Sequence, residues 1–261
     1  MISIPIFMRV LLLLPALVGL AGCSTSIYGW QVRTTSTPMA DPFHPTDLER
    51  EPVAILDALA SPGMRGNEEG LAMYLAQILG KVAPRIQVIT PQATVTRINQ
   101  KGLAQDYARM RAEAEQSYIL DRHILQKLGA ATGARFVFQP RLAAFSQTMT
   151  ERWKVPGFDL RVVQTRSSLI RLSLQLWEID TGKLVWHSVA EAILSNEAVS
   201  QDPVFMEEES KIALGGIVAD FLYGRTASQY TPLNEVLNQL IEKPPPQPEK
   251  KPDTQVEPEG K

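Results

Sequence analysis

The 261-residue chain has a single cysteine, Cys23. No internal disulfide can form, and burial must hold any folded part together unaided. It also lacks an apolar stretch long enough to cross a bilayer: residues 10–20, VLLLLPALVGL, would rise about 16 Å as a helix, about half of the hydrocarbon core. Charge of one sign is missing too, with 26 Lys and Arg against 28 Asp and Glu and no basic block. The electrostatic footprint of a nucleic-acid binder is therefore absent, and no nucleic-acid partner is expected. No Gly-x-Ser-x-Gly or Ser-x-x-Lys sequence supplies a serine nucleophile. No Gly-x-Gly-x-x-Gly run or P-loop ending cradles a phosphate. The three histidines, His44, His123 and His187, share no helical i, i+4 spacing, so neither a metal site nor another cofactor is expected.

What is present is a globular composition, 44% hydrophobic and 21% charged, ample for one packed core. Arg9 precedes the apolar segment, which ends in Leu20-Ala21-Gly22-Cys23. A basic residue, a short apolar core and small residues at a cleavage point read as a signal peptide over residues 1–22. The four closing residues resemble the bacterial lipobox. The resemblance implies diacylglycerol on the Cys23 sulfur, cleavage before it and acylation of the new amino terminus. Two or more acyl chains, at about 0.8 kcal/mol per buried methylene, anchor stably where one would not. In enterobacterial sorting Ser24 implies the outer membrane, with the domain in the periplasm.

Residues 23–51 are expected to form a lipidated flexible tether, because TTSTPMADPFHPTD has no apolar periodicity. Residues 52–241 are expected to form one α/β domain with a mixed sheet packed by helices and a long antiparallel hairpin in its second half. PVAILDALA reads as a buried strand, and Leu71, Leu75, Ile78 and Leu79 give a helix over 67–82 capped by Asn67. A short strand follows at 85–90, then a helix from Pro91. Residues 103–128 read as helical, broken near Ser117, and the glycines of 129–133 stop the run. Residues 135–143 read as a strand with an edge or bulge at Pro140, and 146–160 as a loop or hairpin end. In SLIRLSLQLWEID, Ile170, Leu172, Leu174 and Leu176 alternate with polar residues, and Asp180-Thr181-Gly182 turns the chain back. Asp202 is the expected cap of a helix carrying Leu214, Ile217, Val218, Phe221 and Leu222. A short helix is expected at 233–241. The tail at 242–261 is Pro-rich, with Val256 as its only aliphatic residue, and should remain disordered.

Three stretches resemble one group of envelope domains: VAILDALASPGMRG, LQKLGAATGARFVFQPRL and LSLQLWEIDTGKLVWHSVAE. The group includes the curli-secretion lipoprotein, the penicillin-binding-protein activator lipoproteins and the amino-terminal domain of the Tol-system propeller protein. The likeness spans about residues 52–222 and contains no catalytic motif. The anchor, the flexible ends and the absence of a catalytic constellation lead to the expectation of a lipid-anchored, non-enzymatic module that binds an envelope protein or associates with itself. A ring-forming subunit of a secretion or export assembly is the alternative. A third reading, an enzyme acting on peptidoglycan, would need paired carboxylates or a metal facing one cleft. The interval 147–166 would barely hold two membrane strands and a turn and lacks a clear membrane-facing alternation, which argues against a pore.

The candidate site residues are few. Cys23 is the lipidation site. Trp177, on the polar side of its alternation, together with Trp153 and Phe158 forms the candidate protein-binding patch. Gly63, Gly66, Gly70 and Arg65 read as a turn before a helix and not as an anion cradle, because Glu68 and Glu69 would repel an anion. Asp57, a carboxylate in an apolar strand, is expected to make a strand-end hydrogen bond to backbone.

Overall fold

The computed structural model describes residues 29–68, 70–154, 161–198, 205–224 and 230–232. They form the expected α/β domain around one eight-stranded mixed sheet. Its strands are β1 (Gly29–Ser36), β2 (Val53–Ile55), β3 (Leu59–Ala60), β4 (Val88–Ile89), β5 (Phe136–Lys154), β6 (Arg161–Glu178), β7 (Lys183–Ala198) and β8 (Thr231–Pro232). The order is β4-β2-β5-β6-β7-β1-β8, with β3 also on β5. β2 runs parallel to β4 and β5, and the remainder from β5 to β8 is antiparallel. The helices are α1 (Leu71–Val82), α2 (Pro91–Gln100), α3 (Ala104–Ser117), α4 (Arg122–Thr132) and α5 (Met206–Tyr223).

Local chemistry explains most boundaries. Thr90 caps α2 by accepting from the Ala93 amide, with Pro91 at the first helical position. The break near Ser117 arises at Tyr118, which adopts φ 63°, and Asp121 restarts the helix by accepting from the Ile124 amide. α1 begins at Leu71 behind Gly70 (φ 84°), later than an Asn67 cap would give. α4 runs through Gly129 and ends at Gly133, φ 73°. α5 starts after Phe205, while Asp202 lies outside the described residues.

Two apolar clusters sandwich the sheet. On one face, α1 and α5 pack against Val32, Ile55, Phe138, Leu142, Ile170, Leu172, Leu174, Leu176 and Trp186. Phe221 of α5 meets the Trp186 and Phe138 rings edge-on, at 5.0 and 5.6 Å. On the other face, Tyr107, Met110, Ile124, Leu125 and Leu128 cover Ala54, Leu56, Val137, Trp177 and Ile179. β2 is thus buried on both sides, as its unbroken apolar run requires.

Two expectations are corrected. The stretch 29–51 is not a free tether: β1 pairs with β7 from Gly29↔Ser195 to Ser36↔Ser188, and Val32, Phe43 and Leu48 are buried. Its partners are more than 150 residues away in the chain, so no local period announces it. Gly216, mid-helix in α5, makes the close approach possible, because a Cβ there would lie 2.6 Å from Val32 Cγ1. Nor is 146–160 a loop throughout: β5 and β6 stay paired out to Lys154↔Arg161. Pro140 lies where β5 passes from β2 to β3, and the bulge sits beside it between Leu142 and Ala144. The buried Gln139 side chain bridges that break, donating to the Asp57 carbonyl at 2.9 Å.

Candidate interaction face

The α1/α5 face of the sheet is closed. On the opposite face the apolar cluster reaches only to Trp177 and Ile179. Beyond it, β6, β7 and β1 present alternate residues on a face that no described helix covers: Leu169, Arg171 and Ser173; Val189, Glu191 and Ile193; Gln31, Arg33 and Thr35. At its centre three strands place Arg33, Glu191 and Arg171 side by side in register. Arg33 Nη2 donates to Glu191 Oε2, and Arg171 donates to Oε1 from Nε at 2.7 Å and pairs through Nη2 at 2.5 Å. The Tyr230 hydroxyl donates to Oε2 at 2.8 Å, and its ring lies 4.9 Å from the Arg33 guanidinium carbon. Burial would raise the Glu191 carboxyl. The Tyr230 hydroxyl and the two guanidiniums outweigh it and hold the group below the ordinary carboxylate range. The cluster therefore carries one net positive charge, with both guanidiniums half-exposed and Glu191 covered.

A one-residue shift in the hairpin creates this row. Next to the turn Glu178 pairs with Lys183 and Trp177 with Leu184, but Leu176 pairs with Trp186. Without the bulge Ala190 would stand opposite Arg171, and Glu191 would face the other way.

The covered face holds two buried carboxylates, both on α5. Glu209 accepts from the Ser168 hydroxyl, and Asp220 accepts from that of Ser36. Glu209 is fully buried, and its Oε2 has no hydrogen-bond partner among the described residues. Burial raises its carboxyl to about 7 against the lowering effect of the serine hydroxyl.

The residues singled out from sequence do not meet at one place. Cys23 and Phe158 lie outside the described residues, and Trp153 pairs with Val162 in the β5–β6 register. Trp177 is a correction. It is buried at 6% exposure among the α3 and α4 side chains, with its indole N–H donating to Gln175 Oε1 at 3.1 Å. A sheet covered on one face would have exposed it; here helices cover both faces at this end. Asp57 is held by side chains and not by backbone: the Tyr107 hydroxyl donates to Oδ2 at 3.3 Å, and Arg111 lies 3.6 Å away. The Asp57 amide donates in turn to the Tyr107 oxygen at 3.1 Å, so the group ties α3 to the gap between β2 and β3. Burial pushes the Tyr107 hydroxyl above its ordinary range.

Arg65, in the glycine-bearing turn, pairs with Glu115 at 2.7 Å. His44 and His123 are exposed at separate places, while burial lowers the half-buried His187. Among the described residues no three His, Cys, Asp or Glu side chains converge as a metal site. Sequence reasoning missed the Arg33–Glu191–Arg171 row. Its available signal was Arg171, the one charged residue within the stretch SSLIRLSL.

No protein-family model matches the chain, and no curated protein matches it. Among solved structures it is similar to the PelC dodecamer from Paraburkholderia phytofirmans, at 15% identity over 76% of this chain and 99% of that one, TM-score 0.36. It is also similar to the lipoprotein GNA1162 from Neisseria meningitidis, at 14% identity over 74% of this chain and 99% of that one, TM-score 0.39. The LpoB C-terminal domain from Escherichia coli matches at 13% identity over 54% of this chain and 81% of that domain, TM-score 0.34. Likenesses this distant transfer no function.

Proposed function

We propose that this chain is a lipid-anchored envelope protein, held at the membrane through Cys23, whose α/β domain serves as a non-enzymatic binding or assembly module. The observation that carries the reading is the apolar segment closing in Leu20-Ala21-Gly22-Cys23. The domain geometry sharpens it. Six residue steps separate Cys23 from Gly29, the first residue of β1, so fully extended chain reaches only about 20 Å. The folded body then sits close to the lipid surface and not at the end of a long leash. Its conspicuous polar groups have structural partners: Asp57 with Tyr107 and Arg111, and Glu191 with two arginines and a tyrosine. The sheet face that no described helix covers is the proposed surface for contact, and the outer membrane is the proposed site of anchoring.

Metabolic labelling with palmitate tests the anchor. Wild type should incorporate label and fractionate with membranes, whereas Cys23→Ala should lose the label; labelling that persists in the variant refutes the anchor. Crosslinking in intact cells tests the module, and recovery of nothing but the uncrosslinked monomer counts against it.

One observation favours the second reading, assembly with copies of itself. Beyond Leu142 the outer side of β5 has no partner strand among the described residues, leaving a long edge open to strand addition. The native mass of the detergent-extracted protein separates the two readings, since the mass of one chain excludes a ring.

A further inference from the structure

The two ends of the sheet lie at unequal distances from the anchor. Gly29 of β1 stands opposite Ser195 of β7, Ser195 opposite Ser167 of β6, and Ser167 opposite Thr148 of β5. Because β1 is antiparallel to β7, the chain arriving from Cys23 joins the sheet where β5 finishes and β6 begins. Beyond that row β5 and β6 stay paired for six more residues, out to Lys154↔Arg161, which is about 20 Å of antiparallel strand. In the other direction the β6–β7 pairing runs from Ser167 to Glu178, eleven residue steps, about 37 Å.

The tether decides between these ends. Its six steps from Cys23 to Gly29 span about 20 Å at most. A lipid surface holding Cys23 therefore cannot lie at the β6–β7 turn. It lies no farther from Gly29 than the paired ends of β5 and β6 do, so a sheet standing on that surface meets it with those ends.

α5 marks the same end with an apolar side chain. Glu209 accepts from Ser168, in the row of Trp30, and Asp220 accepts from Ser36, so the helix runs alongside β1 in the same direction. Phe205, four residues before Glu209, then falls about one helical turn, ~5 Å, past the Ser168 row toward the ends of β5 and β6. It is 63% exposed, the highest value for a large apolar side chain among the described residues. One exposed apolar residue is ordinary by itself; this one stands at the end that the tether holds against lipid. In sequence, the last three strand pairs are Arg152↔Val163, Trp153↔Val162 and Lys154↔Arg161, with three cations, a tryptophan and no acid. Tryptophan is enriched in the headgroup layer of a bilayer, and cations are drawn to anionic headgroups.

We propose that the end of the sheet carrying Gly29, Phe205 and the Lys154↔Arg161 pair rests on the lipid surface in which Cys23 is anchored. The proposal rests on the anchor reading above and adds an orientation to it. The partner of this end is lipid headgroups and not a second protein, and the β6–β7 turn points away from the membrane.

The test imposes the anchor chemically. The chain from Cys23 to Lys261 contains every described residue and one thiol, which is coupled to maleimide-bearing lipid in vesicles of phosphatidylethanolamine and phosphatidylglycerol. Photoreactive benzoylphenylalanine replaces Phe205, Lys154 or, as the control at the far end, Lys183, and lipid adducts are measured by mass after irradiation. Adducts at Phe205 and at Lys154 should each exceed those at Lys183 at least fivefold, with the same far-ultraviolet circular dichroism in all three variants. A yield at either probe position no higher than at Lys183 would overturn the proposal, as would adducts there to a second protein chain in place of lipid. Since no cell takes part in joining Cys23 to these vesicles, failure here is a failure of the orientation, and the palmitate labelling decides the anchor separately.

Discussion

Replacing Glu209 with glutamine should remove a pH dependence from the stability of the domain. The carboxyl sits in the first turn of α5, pressed onto the sheet with one oxygen against the Ser168 hydroxyl and the other unpartnered among the described residues. In the unfolded chain it titrates near 4.5, and in the folded chain burial raises it to about 7. Between those values the folded state keeps a proton that the unfolded state has released. Stability therefore falls as pH rises from about 4.5 and levels off above about 7. At about 1.36 kcal/mol per pH unit, the full loss is roughly 3 kcal/mol. Glutamine has nearly the same shape, can still accept from Ser168, and is neutral throughout. Urea unfolding of wild type and Glu209→Gln at pH 5 and pH 8 measures the effect. The variant should be ahead by no more than about 1 kcal/mol at pH 5 and by about 3 kcal/mol at pH 8. Contributions of other groups, His187 among them, cancel in the difference. If the difference between the proteins is the same at both pH values, the carboxyl is not desolvated as described and the reasoning fails.

The two remaining predictions concern the row of charges and the corrected tryptophan. Glu191→Gln leaves Arg33 and Arg171 facing one another without a counter-charge. It should cost about 2 kcal/mol in chemical denaturation, a value discounted because both guanidiniums are half-exposed. Since the Glu191 carboxyl is held low, its contribution is present above the ordinary carboxylate range and lost as pH falls through the lowered value, so the cost should shrink in acid. Trp177→Ala should destabilise by about 3–5 kcal/mol, as for a large core side chain. An exposed binding residue would cost nothing measurable in the same denaturation experiment while lowering crosslinking yield.

Much of the fold was legible along the chain because its signals are local. The alternation of Ile170, Leu172, Leu174 and Leu176 put those side chains on one face, where they are found buried. Pro91 behind Thr90, and Asp121 after the break at Tyr118, start helices through bonds made within four residues. The Asp180-Thr181-Gly182 turn closes on itself, the Gly182 amide donating to Glu178 at 2.9 Å. Such features need no distant partner, so a period or a cap residue reveals them.

Other features depend on what arrives from far away. Residues 29–36 become a strand only because β7 offers an edge and Gly216 leaves room beneath Val32. Trp177 becomes core because α3 and α4 close over a face that its own strand pattern marks as polar. The Arg33–Glu191–Arg171 row requires both that distant strand and a single extra residue in β7. The helices, the β6–β7 turn and the alternation of β6 follow from short-range sterics, periodicity and spacing, which the order of residues carries locally. Which faces are covered, and which charges become neighbours, follow from long-range register and packing, and a one-residue slip there turns a side chain from core to surface.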